Sequence, residues 1–259
     1  MKEINTVICG DNVEVMKSFE DGCIDLTVTS PPYDKLRDYN GFEFNFPEVA
    51  KELYRVTKDG GVVVWVVGDS VIDGSESGTS FDQATYFKHC GFKLHDTMIY
   101  QKDTSPFPES TRYNQTFEYM FVFVKGKINT FNGLREATKG YKPSKSNTYR
   151  DKEGNMQPVK YEQGFEDKLR GNIWRYSVGY NKSTQETAVF EHPATFPEKL
   201  AQEHIHSWSK EGDIVLDPFN GSGTTTKMAK ILGRKYIGID ISQEYCTLAE
   251  ERLKQDLLF

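Results

Sequence analysis

Two short stretches carry side chains whose types and spacing suit group transfer to nitrogen. The first is Thr29-Ser30-Pro31-Pro32-Tyr33, where an apolar, β-branched run over residues 24–29 stops abruptly at two prolines. Consecutive prolines cannot continue a hydrogen-bonded ladder, and they fix the direction in which the backbone leaves a strand. They set the Ser30 hydroxyl and the Pro31 carbonyl at the strand's end, and Tyr33 adds a flat aromatic face. That set suits an amino group attached to a planar ring. Such an amine is a poor nucleophile because its lone pair is delocalised into the ring. Two acceptors holding its hydrogens favour a pyramidal nitrogen whose lone pair points at an electrophile, and a stacked tyrosine fixes the ring. The bland alternative is a strand-ending turn with a core tyrosine.

The second stretch is VLDPFNGSGTTTKMA, which places a glycine-containing turn between an apolar strand and a helix. Gly221 and Gly223 permit a tight turn and close approach of a ligand to the backbone, and a helix start offers unpaired N–H groups. Asp240 ends the next strand, KYIGID, where an acid accepts hydrogen bonds from ribose hydroxyls in folds of this kind. Three ligands fit the layout unequally. A nucleoside triphosphate is disfavoured, since no Gly-Lys-Ser/Thr closes a phosphate loop. A dinucleotide is open, but a threonine takes the third glycine position, and Asp217-Pro218-Phe219 would set an anion against a pyrophosphate. An acid at that point suits a ligand with an ammonium group, such as the methionine portion of S-adenosylmethionine (SAM). A plain strand–helix connection also uses such glycines.

The elements that must position these residues are legible at both ends of the chain. Residues 3–9, 24–29 and 61–69 read as strands, with helices over 12–20 and 46–57 between them. A helix over 81–90 and a strand over 92–101 follow, then a strand over 117–127. From 128 to about 191 periodicity fades, and a stretch so long without elements is functional or disordered. Alternation returns with a helix over 197–208, a strand over 213–219, a helix over 222–233, a strand over 235–240 and a closing helix over 242–255 capped by Ser242. Strands alternating with helices imply an α/β fold, a doubly wound and mostly parallel sheet.

Composition bounds the function further. At 259 residues and 37% hydrophobic, the chain suffices for one large α/β domain or for one with an insertion. It has no apolar run of membrane-spanning length and no signal-peptide core, and its four cysteines lie far apart. A reduced, cytoplasmic chain with no metal site is expected. The net charge of −6 alone argues against nucleic acid, yet residues 101–190 hold 15 basic against 10 acidic residues, while the remainder holds 17 against 28. A basic, aromatic-rich middle on an acidic body can meet a phosphate backbone locally, and a solvated surface insertion is the other reading.

SPPY and DPFNGSGT, in this chain order, resemble motifs IV and I of the amino-group DNA methyltransferases in their beta arrangement, whose seven-stranded sheet is circularly permuted. The usual first and second strands correspond to VLDPF and KYIGID, and the third and fourth to VICGD and IDLTVTSPPY. The resemblance divides the chain into two halves of a catalytic domain, residues 1–125 and 191–259, and a target-recognition insertion at 126–190. It implies catalytic roles for Ser30, Pro31, Pro32 and Tyr33. It places Asp217, Pro218, Phe219, Gly221, Ser222, Gly223 and Thr224 around the methionine portion of SAM, Asp240 on the ribose and Asp11 on the adenine amino group, with Thr29 close by. HPATFPEKL resembles motif X and adds His192, Pro193 and Phe196 to the cofactor pocket.

The implied reaction is direct methyl transfer to a flipped-out base in duplex DNA, of bacterial or phage origin. C5-cytosine chemistry needs a cysteine after a proline, and none of the four follows one. Ser30 at the first motif position tilts the choice between cytosine N4 and adenine N6 toward cytosine N4. Arg112, Lys139, Lys142, Lys145 and Arg150 are candidate phosphate contacts, and a homodimer and a cognate restriction endonuclease are candidate partners. RNA or protein-glutamine methylation, and a catalytically silent nucleotide-binding module, are the competing readings. His204 and His206, two apart on a helix, point to different faces and read as packing or surface.

Overall fold

The computed structural model describes residues 4–32, 44–103, 111–137, 148–158, 167–177 and 197–254. The chain divides into two compact units, Met1–Asn132 with Asn172–Phe259, and Gly133–Gly171. The first half of the chain contributes β1 (Thr6–Cys9), α1 (Asn12–Lys17), β2 (Ile24–Thr29), α2 (Phe46–Val56), β3 (Thr57–Val67), β4 (Val71–Ile72), β5 (Ser75–Glu76), α3 (Thr79–His89), β6 (Lys93–Lys102) and β7 (Phe117–Val124). The second unit holds β8 (Arg135–Ala137), β9 (Thr148–Arg150), β10 (Met156–Pro158) and β11 (Asp167–Leu169). The remainder supplies β12 (Ile173–Tyr176), α4 (Glu198–Trp208), β13 (Ile214–Asp217), α5 (Thr224–Ile231), β14 (Lys235–Asp240) and α6 (Gln243–Lys254).

One eight-stranded sheet runs in the order β1-β14-β13-β2-β3-β7-β6-β12. Among the described strands, only β7 is antiparallel to its neighbours. Helices α1, α2 and α3 cover one face and α4, α5 and α6 the other. Burial on both sides explains the unbroken apolar runs of the central strands: Leu26, Val28 and every residue from Val62 to Val67 are buried. Helix α2 turns Val49, Ala50, Leu53 and Val56 inward, and the Asn45 side chain caps its start by accepting from the Glu48 N–H at 3.4 Å. Asp69, buried after β3, does the same for α3, accepting from the Ser80 N–H at 2.9 Å and its hydroxyl at 2.6 Å.

The permuted order expected from the sequence is present, with the third, second, first and fourth strands side by side as β1, β14, β13 and β2. The sheet holds one strand more than the seven expected. The addition is β12, which pairs parallel to β6 from Ile173↔Ile99 to Tyr176↔Lys102 and lies where the sequence shows no periodicity. Its alternation sends Trp174 and Tyr176 into the core and leaves Ile173 and Arg175 outside. Trp174 packs on His204, ring centroids 4.6 Å apart. His204 is fully buried, its Nδ1 accepting from Trp208 Nε1 at 3.2 Å and its Nε2 lying 3.2 Å from Met120 Sδ, while His206 is exposed.

Within the second unit, β9 pairs with β10 and β8 with β11, both antiparallel. None of its described residues is buried. The Asp151 carboxylate orders the β9–β10 turn by accepting from the Glu153 and Asn155 N–H groups at 3.1 and 2.8 Å. The first unit grips the chain at both junctions. Asn132 Nδ2 donates to the His206 and Ser209 carbonyls at the end of α4, at 3.0 and 3.2 Å. Asn172 Nδ2 donates to the Thr97 carbonyl at 3.0 Å, and the Asn172 carbonyl accepts from Ile99 at 2.8 Å. Among the described residues, no helix is long and apolar enough to cross a membrane.

Replacing Trp174 by Ala should cost roughly 3–5 kcal/mol, the range for truncating a buried aromatic side chain. Urea unfolding reads this as a lowered midpoint at unchanged slope. A cost below about 1 kcal/mol would show that β12 is no part of the core.

Candidate active site

Parallel strands end at one edge, so the residues after β2, β13, β14 and β1 gather there. From β13 the chain crosses by α5 to β14 on one side, while from β2 it crosses by α2 to β3 on the other. The reversal opens a crevice between the carboxyl ends of β13 and β2, the position at which open α/β sheets bind ligands. The two sequence motifs leave the sheet at those two ends. Buried Thr29, the last residue of β2, donates its hydroxyl to Asp217 Oδ1 at 2.6 Å, closing the base of the crevice. Thr225, at the start of α5, donates to the Val28 carbonyl at 3.1 Å, a second tie between the motifs. Ser30 is half-buried, Pro31 buried and Pro32 half-buried at the rim. Tyr33 lies outside the described residues.

The Asp217–Thr224 segment is held almost entirely by the protein. Phe219 N donates to Asp217 Oδ1 at 3.1 Å, Asn220 N to the Ile239 carbonyl at 2.9 Å, Gly221 N to Asp240 Oδ2 at 2.7 Å and Gly223 N to the Asn220 carbonyl at 2.8 Å. The N–H groups of the turn ahead of α5, at Phe219, Asn220, Gly221 and Gly223, are therefore directed into the protein. The segment also lacks a basic side chain. Gly223 cannot be replaced at no cost: its φ of 82° is left-handed, and an added Cβ would lie 2.8 Å from the Ala249 Cβ of α6. Phe219 leans edge-on against Phe44, at 5.1 Å, and against Trp65, at 6.1 Å.

Two carboxylates face this segment. Asp217 is fully enclosed, and burial pushes its pKa up to about 6, against the hydrogen bonds from Thr29 and Phe219 that favour its charge. Asp240 is also raised by burial, opposed by the N–H groups of Ser242, Gly221 and Ile241; the Ser242 bond is 2.9 Å long. Two acids held back from ionisation by burial suit a ligand carrying positive charge. The amine and sulfonium of SAM supply that charge, so the residues present fit this cofactor.

Other predicted residues are placed as follows. Asp11 is exposed, and its Oδ1 accepts from the Glu14 N–H at 2.9 Å as the cap of α1. Pro218 and Ser222 are buried, as is Thr224 at the start of α5. Arg112 Nη2 donates to the Gly74 carbonyl at 2.5 Å, and Arg150 is exposed in the second unit. His192, Pro193, Phe196, Lys139, Lys142 and Lys145 lie outside the described residues. Three supporting residues escaped the sequence reading: Asn12, whose Nδ2 donates to the Pro218 carbonyl at 3.1 Å, and the pair Glu198 and Arg252 behind Ser222. Nothing in their local sequence separates them from ordinary cap and surface residues.

Residues 24–251 match the family model described as DNA methylase, the model of N6/N4 methyltransferases. The orphan methyltransferase M.BamHII of Bacillus amyloliquefaciens is 57% identical over 242 residues, covering 92% of this chain and 91% of that protein. Among solved structures, the M1.HpyAVI–SAM complex aligns with a TM-score of 0.64 at 25% identity over 96% of this chain and 99% of the other. The cytosine-N4-specific PvuII DNA methyltransferase shares the fold, with a TM-score of 0.72 at 21% identity over 98% and 87%.

The raised pKa of Asp217 has a measurable sign. Its folded value of about 6 exceeds the ordinary 3.8, so the fold favours the protonated acid. That stabilisation is full below the ordinary value and is lost as the pH rises through the folded one, by up to about 3 kcal/mol. The isosteric Asp217→Asn variant lacks this loss. Thermal unfolding of the cofactor-free protein between pH values of about 4.5 and 7.5 should therefore move the stability difference in the variant's favour as pH increases. A difference that stays flat across that window would remove the assignment.

Proposed function

The chain belongs to the N6/N4 DNA methylase family, and from that membership we propose that it transfers a methyl group to the N4 amino group of a cytosine rotated out of duplex DNA. It is a SAM-dependent DNA methyltransferase. The observation that carries the transfer reading, whichever amino group is the target, is the 2.6 Å bond between Thr29 and Asp217, which ties the strand ahead of the serine–proline turn to the strand ahead of the cofactor turn.

SAM supplies an electrophilic methyl group on its sulfonium. The chain's own residues prepare the acceptor. The Ser30 hydroxyl and Pro31 carbonyl accept the two hydrogens of the exocyclic amine, which turns its lone pair toward the methyl. Pro31 and Pro32 hold those acceptors rigid, and Tyr33 stacks on the base. Asp217 takes the ammonium of the methionine portion, a contact that draws its buried carboxyl into the ionised form. Phe219, Gly221, Ser222, Gly223 and Thr224 shape the same end of the pocket, with Pro218 and Thr29 supporting it from below. Asp240 accepts from the ribose, and the Asp11 oxygen not committed to the α1 cap accepts from the adenine amino group. His192, Pro193 and Phe196 complete the wall. The proton lost by the amine leaves after transfer, since the methylated nitrogen is acidic enough to release it to water.

Residues 1–125 and 191–259 make up the catalytic halves, and 126–190 the target-recognition segment. Within it the Gly133–Gly171 unit, none of whose described residues is buried, offers Arg150, and Lys139, Lys142 and Lys145 join it and Arg112 as phosphate contacts. The choice of cytosine N4 rests on Ser30 at the head of the motif. A dedicated nuclease is not needed for this activity, and the relative M.BamHII bears the name of an orphan enzyme.

Two measurements test the reading. Duplex DNA treated with the enzyme and SAM, digested to nucleosides and analysed by mass spectrometry, should yield N4-methylcytosine. Recovery of N6-methyladenine would reverse the base assignment, and no methylated amine would end it. Ser30→Ala should keep its SAM affinity and lose on the order of 100-fold in kcat, the usual cost of one positioned hydrogen-bonding group. Unchanged turnover would put the chemistry elsewhere.

A further inference from the structure

We propose that Arg252, held by Glu198, is a positioning residue that fixes the Gly221–Thr224 turn from behind for the amino-acid tail of SAM. This rests on that turn being the cofactor site. Arg252 stands in Ala-Glu-Glu-Arg-Leu-Lys near the end of α6, a sequence that reads as a solvated helix face. It is nevertheless only 3% exposed. Its Nη1 donates to the Ser222 carbonyl at 2.5 Å and lies 3.3 Å from the Ser222 hydroxyl, while Nη2 donates to Glu198 Oε1 at 2.7 Å. Lys227 of α5 reaches the same Glu198 oxygen at 3.0 Å. Three helices thus meet through one carboxylate directly behind the turn.

The local geometry explains what this meeting does. Gly223 caps helix α5, and its carbonyl accepts from Lys227 N at 2.9 Å, so the Ser222 carbonyl is not part of the helical ladder. Arg252 satisfies it. The same peptide plane carries the Gly223 N–H, bonded to the Asn220 carbonyl, so the two bonds hold that plane from both sides. Rotating it would break both and lift the turn off its bed.

Stability alone does not account for a buried arginine here. Burying an ion pair costs about as much as it gains, and well-packed apolar side chains often serve as well or better. What the guanidinium adds is direction, because its planar fork fixes a carbonyl and a carboxylate at once. In the proposed pocket the methionine portion of SAM lies against this turn, so a peptide plane held in one orientation serves that portion above the rest of the cofactor.

Isothermal titration calorimetry on the full chain tests this with three ligands: SAM, S-adenosylhomocysteine and 5′-methylthioadenosine, which lacks the amino-acid tail. Arg252→Met should raise the Kd of the first two by about tenfold or more, the scale of a lost charge-assisted contact. The Kd of 5′-methylthioadenosine should stay within about threefold, kcat at saturating SAM should hold, and Arg252→Lys should recover part of the loss. An unchanged SAM affinity, or an equal loss for 5′-methylthioadenosine, overturns the proposal. Should Arg252→Met fail to fold, Glu198→Gln and Arg252→Lys carry the same comparison with smaller shifts of the same pattern. Asp240→Asn, measured in parallel, separates the two levels. If it leaves all three ligands unaffected, the turn is not the cofactor site. If it weakens all three while Arg252→Met weakens none, only the role of Arg252 falls.

Discussion

A single buried hydrogen bond, from the Thr29 hydroxyl to Asp217, joins two strands that lie far apart in the chain and side by side in the sheet. Everything at the functional edge depends on that neighbourhood. The sheet places the carboxyl ends of β2 and β13 one strand spacing apart, about 4.8 Å. The reversal of crossover direction between them opens the space above. The serine–proline turn and the glycine turn then rise from opposite lips of one crevice. Permutation of the chain leaves this untouched, because the bond links strand positions and is indifferent to which strand comes first.

The glycine turn works by shape and by field. In a phosphate loop the backbone donors point outward and meet an anion. Here four successive or near-successive N–H groups point back into the protein, toward Asp217, Ile239, Asp240 and Asn220. Both acids are desolvated and poorly matched by local charge, and each resists ionisation in consequence. A positive charge placed beside them would favour their ionised forms. The same inward bonding keeps the turn stiff, so little ordering is needed when a ligand arrives.

Much of this could be read from the residues themselves. The central strands announce themselves as continuous apolar runs because both faces are covered. Helices such as α2 show their inner stripe, and the two prolines mark the end of β2 without ambiguity. Other features leave no such trace. β12 has four residues, Ile-Trp-Arg-Tyr, at the sheet's edge, too short for its alternation to stand out from the polar sequence around it. Arg252 sits among charged neighbours and differs from them only in what it touches. Thr29 and Asp217 are 188 positions apart, and no local pattern says that one caps the other. Periodicity records how each element meets the core; it does not record which polar groups of separate elements find one another.

The two asparagines that flank the second unit have a mechanical meaning. Asn132 is bolted to the end of α4 and Asn172 to the backbone of β6, each through its side-chain amide. Insertions, deletions or wholesale exchange of what lies between them transmit little strain past those fasteners. Changes in length or sequence between residues 133 and 171 can therefore be absorbed there while the eight-stranded sheet keeps its register.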